Sequence, residues 1–178
     1  MTHDIRIRPM GDSDAALFTE VKRILGWQTE RELFLARMQD QAKGRVVALV
    51  AECDGEPAGC IQVHLNGRDG PFADRGWPKI TDFAVLERFR GLGIGSKLMD
   101  AAEEVAARHA DTVYLGVGLH GGYGAAQRMF IRRGYVPDGS GIWYRNRPCP
   151  LYEPCCNDDE LTLYLYRRLK EEQDDASR

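Results

Sequence analysis

The segment RFRGLGIGSKL, residues 88–98, carries three glycines at alternate positions between a strand-like stretch, residues 79–86, and a helical pattern, residues 94–109. This junction constrains the fold because the first amides of a helix lack intrahelical acceptors and the helix dipole is positive there. Glycines allow a charged ligand to approach those amides closely. Arg90 adds a positive charge at the entrance. The segment therefore predicts an anion site, most naturally for a phosphate or pyrophosphate.

The rest of the chain alternates strand and helix patterns, and no linker is long enough to separate two domains. Apolar patterns predict strands at residues 4–9, in a hairpin at 45–65 that turns at Asp54-Gly55, and at 79–86, 112–119, 141–144 and 161–169. Helical patterns cover residues 12–25, 29–44, 94–109 and 124–133. Gly26 is expected to end the first helix, and Thr29 to begin the second. This order predicts one α/β domain around a mixed sheet.

The composition argues against several classes of function. The chain has 178 residues, of which 43% are hydrophobic and 29% charged, as is typical of one globular domain. The formal net charge is −3, so a nucleic-acid partner is not expected. No apolar run approaches the roughly 20 residues of a membrane span, so no membrane partner is expected. Residues 1–10 lack the apolar core of a signal peptide, which predicts a cytoplasmic location.

The cysteines predict neither a disulfide framework nor a metal site. Their number, five, is odd, and the chain is not small. Cys53 and Cys60 lie in strand patterns and are expected to be small core residues. Cys149, Cys155 and Cys156 lie in a segment without histidine and without the paired spacing of a zinc site. No metal is therefore expected, and the Cys155-Cys156 pair has no assigned role.

Two common phosphate-binding motifs do not fit the glycine segment. A nucleotide P-loop requires G-x-x-x-x-G-K-S/T, whereas Lys97 follows Ser96 here. A dinucleotide fingerprint requires G-x-G-x-x-G in a βαβ unit, whereas these glycines have the spacing G-x-G-x-G. On the glycines alone, a turn that merely connects a strand to a helix also remains open.

A pair of motifs points to a known family. Arg90, Gly93 and Gly95 match the pattern Q/R-x-x-G-x-G/A. Residues 123–135, YGAAQRMFIRRGY, contain a second pattern at Ala126, Met129, Phe130, Gly134 and Tyr135. Together they resemble the acetyl-coenzyme A loop and the second cofactor motif of the GNAT superfamily of N-acetyltransferases. The resemblance covers residues 4–169, expected to form the acetyltransferase domain, and a charged tail follows at residues 170–178.

The resemblance implies a fold, a cofactor and a reaction. The fold is a single-domain α/β structure with a mixed, mostly antiparallel sheet of about six to seven strands and about four flanking helices. Its sheet is splayed between the fourth and fifth strands. The cofactor is acetyl-CoA, whose acetyl group passes by direct attack to a primary amine, expected to be that of a small molecule. The implied cofactor-binding residues are Phe83, Ala84, Val85, Arg90, Gly91, Leu92, Gly93, Ile94, Gly95, Ser96, Ala126 and Phe130.

The second motif departs from the family at the usual general acid. Many members carry a tyrosine at the position of Phe130, which has no proton to donate. Tyr123 replaces the motif's asparagine and is a candidate donor; the alternative is an aromatic residue of the pocket wall or surface. Asp82 is the candidate catalytic residue that holds the amine or relays its proton. The alternative for Asp82 is an aspartate that faces solvent or bonds to nearby backbone.

Two further polar segments have open roles. Residues 145–160 are long for a connection between strands, and such loops often shape substrate sites. Asp158, Asp159 and Glu160 either attract a basic acceptor or form a solvated turn. His120 either lines the acceptor pocket, acts as a base, or has no special role.

Three hypotheses about function follow from the sequence. The first is an N-acetyltransferase that acts on a small molecule or, as the less favoured alternative, on a protein. The second is a GNAT-fold protein that binds or senses acetyl-CoA without turnover, and Phe130 is its main support. The third, a dinucleotide-binding oxidoreductase that would bind NAD(P), is disfavoured by the glycine spacing. Dimers are common among the proteins that this chain resembles, so a homodimer is compatible with the first two.

Overall fold

A computed structural model of the protein describes residues 2–24 and 31–170. The helix end predicted at Gly26, the helix start predicted at Thr29 and the charged tail from residue 171 lie outside the described residues. Within the described part, no helix is long and apolar enough to cross a membrane.

The described residues form one eight-stranded sheet with the strand order β1-β2-β3-β4-β5-β8-β6-β7. Its strands are β1 Ile5–Pro9, β2 Val46–Cys53, β3 Glu56–His64, β4 Lys79–Val85, β5 Thr112–Gly118, β6 Val136–Tyr144, β7 Arg147–Pro148 and β8 Leu161–Arg168. Neighbouring strands are antiparallel except β4 and β5, which are parallel. The predicted single α/β domain with a mixed sheet is confirmed. The sheet has more strands than the six to seven expected, since β7 is a two-residue pairing that no apolar pattern marks.

Four α-helices cover the two faces of the sheet in the described part of the chain. They are α1 Ala15–Ile24, α2 Arg31–Ala42, α3 Ile94–Ala107 and α4 Gly124–Arg132. The apolar side chains of Ile94, Leu98 and Ala102 in α3 are buried and pack with the core residues of α4 and the sheet. On the opposite face, Phe18 of α1 and Phe34 of α2 pack over β2, β3 and β4. The glycine segment thus leads into a helix whose position is fixed by packing against the core.

Strands β4 and β5 pair over only two positions, Lys79 with Tyr114 and Ile80 with Leu115. Beyond them the two strands part, as the resemblance implied. A bulge in β4 accompanies the parting: Gln62 of β3 pairs with Thr81, but Cys60 pairs with Ala84, so β4 carries one extra residue. Such bulges bend a strand and end its pairing. The sheet therefore opens beside Asp82 and the residues that follow it.

Asp82 adopts the left-handed backbone conformation at this bulge, with φ of 51°. Aspartate tolerates that conformation better than most residues. Its carboxylate is 1% exposed and lies 2.5 Å from Nζ of Lys22, which is equally buried in α1. The predicted alternatives for Asp82, a solvent-facing or backbone-bonded side chain, do not describe this placement. The ion pair joins α1 to β4 where the sheet opens.

We expect Lys22→Ala to lower the free energy of unfolding by about 3 kcal/mol, because it leaves the buried Asp82 carboxylate without its nearest cation. Chemical denaturation measures this change. The double variant Lys22→Met/Asp82→Asn removes both charges, and we expect it to recover most of the loss. A single variant within about 0.5 kcal/mol of the wild type would contradict a structural role for the pair.

Candidate active site

Most of the predicted cofactor-binding residues surround one cavity of about 680 Å³, here called the glycine-loop cavity. Its walls include residues 83–85 of β4, residues 89–91 and 93–96, and α4 with the turn before it. Of the residues predicted from the sequence, it contains Phe83, Ala84, Val85, Arg90, Gly91, Gly93, Ile94, Gly95, Ser96, Tyr123 and Ala126. The fold thus brings the two sequence motifs to one place. A cavity of this size is in the range of ligand pockets.

The glycine segment presents its amides to this cavity. Gly91 and Gly93 have φ of 81° and 82°, in the left-handed region, and a Cβ at either would meet no atom within 4 Å. Gly93 directly precedes the first residue of α3. In the described turns, loops and caps, no geometrically close hydrogen bond is donated by the amides of residues 91–96, and no side chain caps the start of α3. A helix start with free amides facing open space fits a phosphate group.

Three of the predicted cofactor-binding residues offer the glycine-loop cavity only a side chain, only an amide, or neither. The amide of Arg90 donates to the carbonyl oxygen of Glu87 at 3.1 Å, so only its side chain is available to an anion. Leu92 packs against the core and its side chain is not on the cavity wall, so only its amide is available to a ligand. Phe130 is 5% exposed and lines a neighbouring cavity, where its ring lies 6.1 Å from that of Phe83. A hydroxyl group is therefore absent at that position of the site.

The neighbouring cavity, here called the gap cavity, lies where β4 and β5 part and measures about 270 Å³. It shares Phe83, Tyr123, Ala126 and Asp159 with the glycine-loop cavity. Its charged wall residues are four carboxylates and one lysine: Asp69, Asp82, Asp159, Glu160 and Lys79. The gap cavity is therefore acidic and adjoins the glycine-loop cavity.

Asp159 and two aromatic residues form a hydrogen-bonded cluster at the shared wall. Oδ1 of Asp159 accepts from the Tyr123 hydroxyl at 3.1 Å and from Nε2 of His120 at 3.0 Å. The rings of His120 and Tyr123 meet edge to face, with centroids 4.8 Å apart. Gly118 of β5 allows this arrangement, since a Cβ there would lie 2.4 Å from the Tyr123 ring.

The hydrogen bonds of the cluster assign its protons. The amide of Gly122 donates to Nδ1 of His120 at 3.1 Å, so the neutral imidazole carries its proton on Nε2 and donates it to Asp159. Both ring nitrogens are therefore engaged. Burial, and then the negative charge of Asp159, raise the pKa of Tyr123 above its ordinary value. Tyr123 is thus a protonated hydrogen-bond donor at neutral pH.

Sequence patterns left two interpretations of Asp159 open and did not connect it with Tyr123. The two residues are 36 positions apart, and the pairing of β8 with β5 and β6 brings them together. The acidic triplet in a long loop was a signal for a substrate site, but it did not distinguish Asp159 from Asp158. Asp158 bonds instead to the Tyr144 hydroxyl and to the amide of Glu160, and it lines none of these cavities.

Residues 15–135, more than half of the chain, match the acetyltransferase (GNAT) family. The chain belongs to this family, as its two motifs predicted, and acetyl-CoA is the cofactor that GNAT acetyltransferases use. No curated protein matches the sequence.

Solved structures of the same fold include Ard1 from Thermoplasma volcanium, with 22% identity and a TM-score of 0.70 over 94% of this chain and 99% of that chain. An acetyltransferase from Salmonella typhimurium, solved with acetyl-CoA, has 19% identity and a TM-score of 0.69 over 97% and 99%. The ribosomal-protein-S18-alanine N-acetyltransferase from Escherichia coli has 12% identity and a TM-score of 0.70 over 98% and 100%. At these identities the likeness shows the fold.

We expect Gly93→Val to abolish acetyl-CoA binding, because its side chain would project into the open space in front of the α3 amides. Isothermal titration calorimetry with acetyl-CoA measures this loss. Gly139→Val is the matched control: Gly139 has φ of 86°, its Cβ would also meet nothing within 4 Å, and it lies outside the glycine-loop cavity. Both variants carry similar backbone strain. Equal affinities for the two variants would contradict the placement of the cofactor.

Proposed function

We propose that the protein transfers the acetyl group of acetyl-CoA to the primary amine of a small molecule by direct attack. The observation that carries this proposal is the acidic gap cavity beside the glycine-loop cavity. Asp69 is paired with Lys79 and Asp82 with Lys22, and the two further carboxylates of the wall, Asp159 and Glu160, favour a cationic group. Because the two cavities share a wall at Phe83, Tyr123, Ala126 and Asp159, a cationic group bound there would lie next to the cofactor.

The residues of the glycine-loop cavity fit the cofactor in charge and shape. The free amides of residues 91–96, the positive end of α3 and the Arg90 side chain would hold the diphosphate. The parted edge of β4 at Phe83, Ala84 and Val85 has backbone available for the pantetheine arm. When bound, acetyl-CoA supplies an acetyl thioester, the electrophile of the reaction. The protein's own task is to position the amine and move its proton.

Asp159 is the residue that we assign to the acceptor amine. Its Oδ1 accepts hydrogen bonds from His120 and Tyr123, so the carboxylate is held in one orientation. The other oxygen would accept from an ammonium group and take its proton, because only the neutral amine attacks. His120 and Tyr123 position this carboxylate.

For Asp82 and Tyr123 we propose the catalytic roles that were expected from the sequence. Asp82 lines the gap cavity, and its Oδ2 is buried without a hydrogen bond, so it would receive the amine or a water that carries the amine's proton. Tyr123 holds a proton on Oη at the wall shared with the cofactor cavity, where a departing sulfur needs one. Because Tyr123 also bonds Asp159, proton uptake on one side and donation on the other are linked.

A binding or sensor protein is the second candidate function. Phe130 favours it, since no hydroxyl occupies the position of the usual general acid. Thiol release from acetyl-CoA, followed with a chromogenic disulfide across a panel of primary amines and an alanine-initiated peptide, separates the two. Acetyl transfer predicts amine-dependent release with at least one small amine. Tight acetyl-CoA binding with no release on any amine supports the sensor, and release with the peptide alone contradicts the small-molecule acceptor.

For an amine that the protein acetylates, we expect Asp159→Asn to lower kcat/KM by about 10- to 100-fold, because the acceptor loses a charge-assisted hydrogen bond. Acetyl-CoA affinity should stay unchanged. Asp158→Asn is the matched control, since it removes the same charge from the adjacent residue outside the cavities. An equal effect of both substitutions would show that Asp159 acts only through the general field of the loop.

A further inference from the structure

A third cavity, here called the outer cavity, measures about 890 Å³ and lies between α2, the ends of β2 and β3, and β4. Its lining residues are Arg37, Asp40, Gly44, Arg45, Val46, His64, Leu65, Asn66, Gly67, Arg68, Asp69, Lys79, Thr81 and Asp82. It shares Asp69, Lys79, Thr81 and Asp82 with the gap cavity and none of its residues with the glycine-loop cavity. It therefore adjoins the amine side of the site.

The charges of the outer cavity are unbalanced at Arg37. Each carboxylate in the wall already has a cation: Arg45 lies 3.5 Å from Asp40, Lys79 pairs with Asp69, and Lys22 lies 2.5 Å from Asp82. Arg37 has only a long contact with the last of these carboxylates, since its Nε is 4.0 Å from Oδ2 of Asp82. Arg68 also lines the cavity, but it is exposed to solvent.

The polar atoms around Arg37 are buried and incompletely bonded. Nε of Arg37, Oδ2 of Asp82 and Oγ1 of Thr81 are all buried without a hydrogen-bond partner. The contact of Arg37 that remains is Nη1 with Nε2 of His64, at 3.4 Å. Burial, and then the charge of Arg37, lower the pKa of His64. His64 is therefore neutral at pH 7 and does not offset the positive charge of Arg37.

The Arg37 side chain is 21% exposed, and a charge that is largely removed from water is normally paired, because an uncompensated one is costly. If the Arg37 side chain moved closer to Asp82, one carboxylate would still face two cations, Lys22 and Arg37. An anionic group from outside would complete this arrangement. A planar guanidinium prefers a carboxylate, which it binds through two parallel hydrogen bonds.

We propose that the outer cavity binds the carboxylate of the acceptor through Arg37, and that the acceptor is an α-amino acid whose amine lies on the gap-cavity side. This inference rests on the proposed acetyl transfer. The spacing supports an α-amino acid, because Arg37 Nε lies 4.0 Å from Oδ2 of Asp82, which lines both cavities, and one carbon separates the amine nitrogen from the carboxylate carbon. The amine then lies at the wall that the outer and gap cavities share.

The carboxylate assignment predicts a preference within matched pairs of amines. L-Phenylalanine with phenethylamine, L-leucine with isoamylamine, and L-lysine with cadaverine differ only in the carboxylate. Calorimetry with the CoA-saturated protein measures binding of each compound, and thiol release from acetyl-CoA measures turnover. We expect the wild type to prefer the amino acid at least tenfold in one or more pairs.

Variants of Arg37 test the cause of that preference. Arg37→Gln should remove it and leave CoA affinity unchanged, and Arg37→Lys should restore part of it, because the charge returns without the planar fork. Arg108→Gln, which removes an exposed arginine paired with Glu104 on α3, is the control and should keep the preference. A merely structural Arg37 would lower affinity for both members of a pair and leave their ratio unchanged.

The outcomes separate this inference from the proposed function. Equal affinity within every pair, whether both compounds bind or neither does, overturns the carboxylate site, as does a preference that persists in Arg37→Gln. A carboxylate preference in binding without thiol release keeps the site and overturns acetyl transfer. Release with the decarboxylated amines alone keeps acetyl transfer and overturns the α-amino acid acceptor.

Discussion

The early end of pairing between β4 and β5 is the constraint on which the rest of the site depends. After two paired positions the strands part, and the bulge at Asp82 turns β4 away from its neighbour. The buried Lys22–Asp82 ion pair holds α1 against that bulge. Without the opening, the glycine-loop cavity would be a surface pocket with no route to an acceptor. With it, the outer, gap and glycine-loop cavities follow one another along β4.

The three cavities differ in charge in a way that suits one reaction. Free amides at the start of α3 serve an anion, the carboxylates of the gap cavity serve a cation, and Arg37 brings excess positive charge to the outer cavity. A dipolar acceptor would place its amine toward the gap cavity and its carboxylate away from it. In the proposed reaction, acylation makes the amine neutral, so the acidic wall then holds the product less strongly.

The features that could be predicted from the sequence are those that a few neighbouring residues determine. Gly91 and Gly93 could be recognised because a helix start and left-handed backbone angles are encoded within a few residues. Residues that long-range pairing brings together left no such signal. Lys22 lies 60 positions from Asp82, and His120 lies 39 positions from Asp159. Apolar periodicity could not reveal the short strand β7 either, because both of its residues are exposed.

The most direct test of the account is a crystal structure of the protein with coenzyme A. We expect the diphosphate to lie against the amides of residues 91–96, and the sulfur to lie at the wall shared by the glycine-loop and gap cavities, near Tyr123. A diphosphate bound elsewhere, or a sulfur directed away from the opening between β4 and β5, would contradict the account.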